Sequence, residues 1–157
     1  GEKKRFAVSP IGVIHTPYGE PGETPIQGRR RPEGRGEVEV FEEYAAGLQD
    51  LDGFSHIILL YYFHRAGQTA LLVKPFLDDV ARGVFATRHP RRPNHIGLAV
   101  VRLLARRGNF LDVAGVDMFN GTPLVDIKPY VPAFDKQAGL VRIGWLEGKT
   151  ERSSRGK

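Results

Sequence analysis

The sequence predicts a mostly β fold: a single-domain antiparallel β-barrel of about seven strands, with one or two short helices and long loops. Three observations carry that expectation. Short apolar or alternating runs, bounded by Gly, Pro, Asn or Asp, recur along the whole chain. Only residues 42–51 show helical periodicity, with Tyr44, Ala45, Leu48 and Leu51 on one face. The strand–helix–strand rhythm of a parallel sheet is absent, as is any internal repeat. At 157 residues the chain can bury one core without staples. The domain is expected over 6–146, with flexible termini at 1–5 and 147–157.

Taken in order, residues 6–14 alternate loosely and suit a first strand interrupted at Ser9-Pro10. Residues 15–36 are rich in proline and glycine and lack periodicity, so they form a long surface loop, with Pro25-Ile26-Gln27 at its middle. A short strand with one wet face follows at 36–41, then the helix at 42–51. Residues 54–63 are the most apolar run and too short to span a bilayer, which makes them a central buried strand. Within it His56 reads as a satisfied core histidine, whereas His64 at the strand exit is a better site candidate. Residues 70–80 suggest an edge strand and turn, and 84–87 another strand. Strands at 96–104 and 110–116 are joined by a Gly108-Asn109 hairpin turn. The turn at 117–123 contains Asn-Gly and Thr-Pro, a strand follows at 124–127, and a last strand is expected at 141–146.

The stretch 84–101 organises the chain. Between its two apolar runs lie Arg88, His89, Arg91, Arg92, Asn94 and His95, stiffened by Pro90 and Pro93. A rigid polar loop at a sheet end is a place for binding and catalytic groups, although a basic turn on a solvated face has the same composition. Composition narrows the chemistry. With no cysteine, disulfides, thiolate catalysis and Cys-type metal sites are excluded. No glycine fingerprint follows the first strand, and the five histidines lack metal-ligand spacing, so no metal is expected. No apolar window is long enough for a membrane span and no signal core follows the N-terminal charges, which points to a cytoplasmic location. The net charge of +5 is concentrated in arginine clusters, among them Arg29, Arg30 and Arg31 and then Arg91 and Arg92, which suit a polyanion such as nucleic acid. A second polar turn runs from Asp117 to Tyr130. There Asp126 and Lys128 flank Ile127 and share one strand face, either as a surface ion pair or as a carboxylate and ammonium beside a substrate.

Those two turns carry a resemblance. Phe85-Ala86-Thr87-Arg88, with Arg92-Pro93-Asn94 and Ile96-Gly97-Leu98, followed by Gly121-Thr122-Pro123 and Asp126-Ile127-Lys128-Pro129-Tyr130, resembles the TsaA-like (TrmO-type) tRNA methyltransferase family. So do Pro10-Ile11-Gly12-Val13-Ile14, Thr16-Pro17, Pro25-Ile26-Gln27 and the Leu51-Asp52-Gly53-Phe54-Ser55-His56 lead-in to the apolar strand. The similarity covers residues 6 to 135.

The resemblance implies a β-barrel enzyme dependent on S-adenosyl-L-methionine, acting as a homodimer on tRNA. Its reaction would be methylation of N6 of the threonylcarbamoyl-modified adenosine just 3′ of the anticodon. By motif position the cofactor would be held by Pro25, Ile26, Gln27, His64, Arg65, Arg88, Leu98, Asn120, Gly121, Thr122 and Pro123. Asp126 would manage the N6 proton, and Lys128 or Tyr130 would orient the base. Three positions depart from the family pattern: His89 where Ser is usual, His95 where Pro is usual, and Asn120 where Asp precedes Gly-Thr-Pro. No counterpart is expected to the C-terminal extension of longer bacterial members, so the arginine clusters or a second copy would supply the tRNA contact. Two alternatives stand beside this reading. One is methyl transfer to another RNA or a small molecule; the other is a non-catalytic module that binds cofactor or RNA.

Overall fold

The apolar run at 54–63 becomes a strand whose two faces differ. β3 (His56–Tyr62) turns Ile57, Leu59 and Tyr61 inward, all buried, while Ile58 and Leu60 are half-buried on the outer face and Tyr62 is exposed. The expectation of a strand buried on both sides therefore gives way to the one-sided strand of a barrel wall. The structure is a computed structural model that describes residues 3–19 and 34–150. Expectations for Pro25, Ile26, Gln27, Arg29, Arg30 and Arg31 lie outside the described residues.

Five more strands complete the wall: β1 (Gly12–His15), β2 (Arg35–Val40), β6 (Ile96–Arg107), β7 (Phe110–Ala114) and β8 (Thr122–Pro129). A separate two-stranded ladder pairs β4 (Leu72–Val73) with β5 (Arg82–Gly83). The barrel closes in the order β1-β2-β7-β6-β3-β8, with every neighbouring pair antiparallel. Closure leaves no wall strand with an unpaired edge. Inward side chains such as Ile14, Val38, Leu59, Val101, Leu111 and Leu124 make one continuous core. The close approach of β1 to β2 depends on Gly12, because a Cβ there would lie 1.9 Å from the Glu39 carbonyl oxygen.

Antiparallel pairing sorts the connections to two ends. β1, β3 and β7 run out at the end where β2, β6 and β8 begin, called here the upper end. Val116 and Met118, just beyond β7, join the core there, whereas Leu48 seals the lower end. A register shift between Leu60 and Tyr61 in the β3–β8 ladder bends the wall next to the upper end.

Several expected elements differ, each for a local reason. The 42–51 helix is two 3-10 turns, Glu42–Leu48 and Leu51–Gly53. Gly47 lies inside the first, Asp50 between them takes a φ of 71°, and only Leu48 is buried, so no apolar stripe sustains an α-helix. The 84–87 strand is a 3-10 turn, Val84–Ala86, closed by the Thr87 amide and hydroxyl donating to the Val84 carbonyl at 3.1 and 2.8 Å. The 141–146 strand is replaced by a 3-10 turn at Gly144–Leu146, because the barrel is already closed by β1 and β8. Pairing of the first strand begins only at Gly12, leaving Phe6 and Val8 exposed. Thr122 and Pro123, read as turn, belong to β8. His56 is not a core residue: it is half-buried on the outer face, bonded to the Ser55 hydroxyl at 2.8 Å and set edge-on to Tyr130.

Candidate functional site at the upper end of the barrel

The loop at 84–95 is held by its own polar groups. The Arg92 guanidinium donates to the Thr87 carbonyl at 2.7 Å, with longer contacts to the carbonyls of Val84 and His89. Arg91 donates through Nε to the Gln68 carbonyl at 2.7 Å, and its amide donates to His89 Nδ1 at 3.2 Å. His95 contacts the Pro90 carbonyl through Nδ1 at 3.0 Å. Asn94 and His95 both take left-handed φ values, 66° and 50°, a backbone that proline cannot adopt. Among the described residues, Arg88 alone of the three loop arginines has a guanidinium with neither an ion pair nor a hydrogen bond.

Arg88 stands on the wall of a cavity of about 330 Å³ that is also lined by Tyr61, Phe63, Thr87, Arg92, residues 96–100, Gly115 and Asp117. Tyr61 and Phe63 meet edge to face, with centroids 5.3 Å apart. Both rings lean over Gly97, where a Cβ would lie 2.5 Å from the Tyr61 ring and 2.8 Å from that of Phe63. The glycine in Ile96-Gly97-Leu98 is thus the space the aromatic wall occupies. Burial pushes the Tyr61 phenol well above its ordinary range, and the Asp117 carboxylate adds to the shift against the opposing Arg88. The phenol stays neutral at physiological pH. The cavity combines an apolar aromatic wall with two guanidinium groups, Arg88 and the loop-held Arg92, and one carboxylate.

Among the described residues, the other expected cofactor residues gather around the same end without all reaching the cavity. Leu98 lines it, as Arg88 does. His64 and Arg65 continue β3 past Phe63, and the Arg65 guanidinium lies 4.7 Å from the Phe119 ring, joining the strand exit to the 117–121 turn. Partial burial, then Arg65, holds the His64 imidazole below its ordinary range. The turn itself is tied to the exit of β1. Thr16 Oγ1 donates to the Met118 carbonyl at 2.8 Å, the Thr16 amide donates to Asn120 Oδ1 at 3.0 Å, and the Gly121 amide to the Ile14 carbonyl at 2.9 Å. Gly121 takes a φ of 83°, which an L side chain resists. Thr122 is buried with its hydroxyl on the Phe119 carbonyl at 2.6 Å, and Pro123 sits opposite Val13. The bond made by Asn120 is one an aspartate would also accept, so this departure removes a charge and keeps the turn.

Asp126, Lys128 and Tyr130 are placed elsewhere. Asp126 lies opposite Leu60 and Lys128 opposite Ile58, both on the outer face, and the two side chains pair at 3.0 Å. Tyr130 follows towards the lower end, its amide on the His56 carbonyl. In a single chain none of the three lines the upper-end cavity. Sequence reasoning missed Tyr61, Phe63 and Gly115 as cavity residues. The first two look like any apolar run, and only three-dimensional position separates them from core.

Fold and site together describe a six-stranded barrel with a cavity of about 330 Å³ at one end, bounded by a basic loop. The chain belongs to the family of the tRNA-methyltransferase O N-terminal domain, whose model matches residues 13–136. A probable S-adenosyl-L-methionine-binding protein of Pyrococcus abyssi is 56% identical over 138 residues, 88% of this chain and 74% of that protein. A human tRNA (adenine(37)-N6)-methyltransferase is 33% identical over 89% of this chain, which corresponds to 33% of that enzyme. The crystal structure of TrmO from Pseudomonas aeruginosa superposes with a TM-score of 0.74 at 38% identity, covering 90% of this chain and 63% of that one. The chain therefore spans three quarters of the archaeal relative and a third of the human one.

Proposed function

We propose that this chain is an S-adenosyl-L-methionine-dependent methyltransferase acting on N6 of an adenosine beside the anticodon of tRNA. The observation that carries the reading is Arg88, an uncommitted guanidinium on a cavity whose walls include Tyr61, Phe63, Leu98 and Asp117. The donor set fits the cofactor. A planar guanidinium matches a carboxylate, the Asp117 carboxylate suits a cationic sulfonium or ammonium, and the aromatic wall suits an adenine ring. A cavity of about 330 Å³ is within the range of small-molecule sites. Relatives named for binding this cofactor and for tRNA adenine methylation support the same reading.

When bound, S-adenosyl-L-methionine would supply an electrophilic methyl group, with the thioether as leaving group and the N6 proton released to solvent. This chain's part is to hold donor and acceptor in line and to keep water away from the contact. Arg88 and Asp117 anchor the charged end, and Tyr61, a neutral phenol, contributes a polar group within an apolar wall. The cofactor roles of His64, Arg65 and residues 120–123 extend this reading around the upper end, and those of Pro25, Ile26 and Gln27 rest on the family resemblance alone.

A homodimer and a cytoplasmic location belong to the same proposal. Support for the dimer comes from the outer faces of β3 and β6, where Tyr62, Ile96 and Leu98 are exposed side by side and are flanked by Asp126 and Lys128. In such a dimer the proton role of Asp126 and the orienting roles of Lys128 and Tyr130 would be exercised at the interface rather than within one chain. Methyl transfer from labelled cofactor to purified tRNA, followed by nucleoside analysis, tests the function. Label in N6-methylated adenosine is the expected result. Cofactor binding without transfer to any tRNA would replace it with the binding-module reading.

A further inference from the structure

A second concavity lies on the other side of the 84–89 loop. It measures about 550 Å³ and shares Thr87 and Arg88 with the first cavity. Its walls are aromatic, with Phe85 73% and Phe76 48% exposed. Half-buried Trp145 forms another side, with Nε1 donating to the Ala86 carbonyl at 2.8 Å, so the groove wall is fastened to the residue two before Arg88. Asp78 holds this assembly, accepting from Arg82 Nε at 2.8 Å and from Lys149 at 3.1 Å, while both cations also lie 5.4 Å from the Trp145 ring centre.

His89 also lines the groove. Its Nδ1 accepts the Arg91 amide, so the ring proton is on Nε2, and burial together with Arg91 and Arg92 keeps the imidazole neutral. The groove thus offers flat apolar faces, a neutral donor, and the unpaired Arg88 cation at the seam with the cofactor cavity. Flat faces with a cationic rim are how proteins hold an unstacked base and its phosphate. The acceptor of a methyltransferase must reach the donor, and this groove and the cavity meet at one dipeptide.

Building on the methyltransferase reading, we propose that this groove is the acceptor subsite, in which an unstacked purine nucleotide of a single-stranded RNA loop stacks on Phe85 and Phe76. Thr87 and Arg88 then form the shared rim across which the base meets the cofactor, and Arg88 serves both. The chain's single tryptophan, Trp145, reports directly on occupancy.

The test uses the whole chain saturated with S-adenosylhomocysteine and titrated with an anticodon stem–loop RNA, following tryptophan emission. A saturable change in emission is expected, with RNA affinity falling about tenfold or more in Phe85→Ala and in Phe76→Ala, as loss of a stacking face requires. Calorimetric binding of S-adenosylhomocysteine should be unchanged in both variants. Since Phe85 is mostly exposed, its loss removes little core packing. RNA binding that leaves emission and both variants indifferent would overturn the subsite and leave the methyltransferase reading intact. Conversion of a dimer to a monomer by Phe85→Ala, seen by sedimentation, would also overturn it, because the groove would then be an interface between copies. Failure of the wild type to bind S-adenosylhomocysteine would remove the reading on which the proposal rests, and the proposal with it.

Discussion

Gly97 shows how one missing Cβ shapes the site. The space it leaves is filled by the Tyr61 and Phe63 rings, so Gly97→Ala must push the aromatic wall into the cavity or away from it. An overpacked contact of this kind costs about 1–3 kcal/mol. A urea denaturation midpoint unchanged from wild type would contradict the crowding. His64 and His89 carry a pH consequence. Both titrate below the ordinary imidazole value because burial, then neighbouring arginines, disfavours the cation. A depressed folded pKa means that the unfolded chain binds the proton more readily. Their contribution to stability is therefore complete above the unfolded value near 6.5 and is lost as pH falls through the lower folded values. Ring-proton NMR titration checks this, and midpoints at or above about 6.5 would contradict it. At this scale the sequence was partly legible. Arg88 stood out as an arginine in a proline-stiffened turn, whereas Tyr61 lay in an apolar run where alternation marks it only as inward-facing.

Among the elements, the 84–95 loop and the 144–146 turn behave as one assembly through Trp145 and Asp78. Arg82 holds the Asp78 carboxyl down to about 2, with Lys149 assisting. Because that value is depressed, the stability it lends is present above the usual carboxylate range and is lost as pH falls towards about 2. Asp78→Asn should release the C-terminal turn at neutral pH without unfolding the barrel. A red shift of Trp145 emission with an unchanged far-ultraviolet spectrum is the expected signature, and emission identical to wild type would count against the latch. Sequence reasoning found the loop and missed the latch. Residues 84–87 and 141–146 look like strands because Val, Ile and Phe favour strands, but a closed barrel offers them no edge. The helix expected at 42–51 failed for the complementary reason: periodicity was present, but a glycine and a left-handed aspartate interrupt it. Pairings fixed by period-two alternation, such as β6 with β7 across Gly108-Asn109, were legible because they depend on local pattern and turn chemistry.

For the whole molecule, a +5 net charge centred on arginine predicts salt-sensitive RNA binding. Affinity for tRNA should fall about tenfold or more between roughly 50 and 200 mM salt, measured by filter binding, and a flat profile would argue for a small-molecule acceptor. The closed barrel was legible from strand count and the absence of a parallel rhythm, but the pairing that closes it was not, since β1 meets β8 across the length of the chain. The central claim is that the upper-end cavity holds the methyl donor through Arg88. Isothermal titration of the wild type and of Arg88→Ala with S-adenosylmethionine tests it most directly. Saturable binding that weakens about 10- to 100-fold in the variant is expected, the loss for one charge-assisted contact of about 1.5–3 kcal/mol. Equal affinity in both proteins, or no binding by a folded wild type, would contradict it.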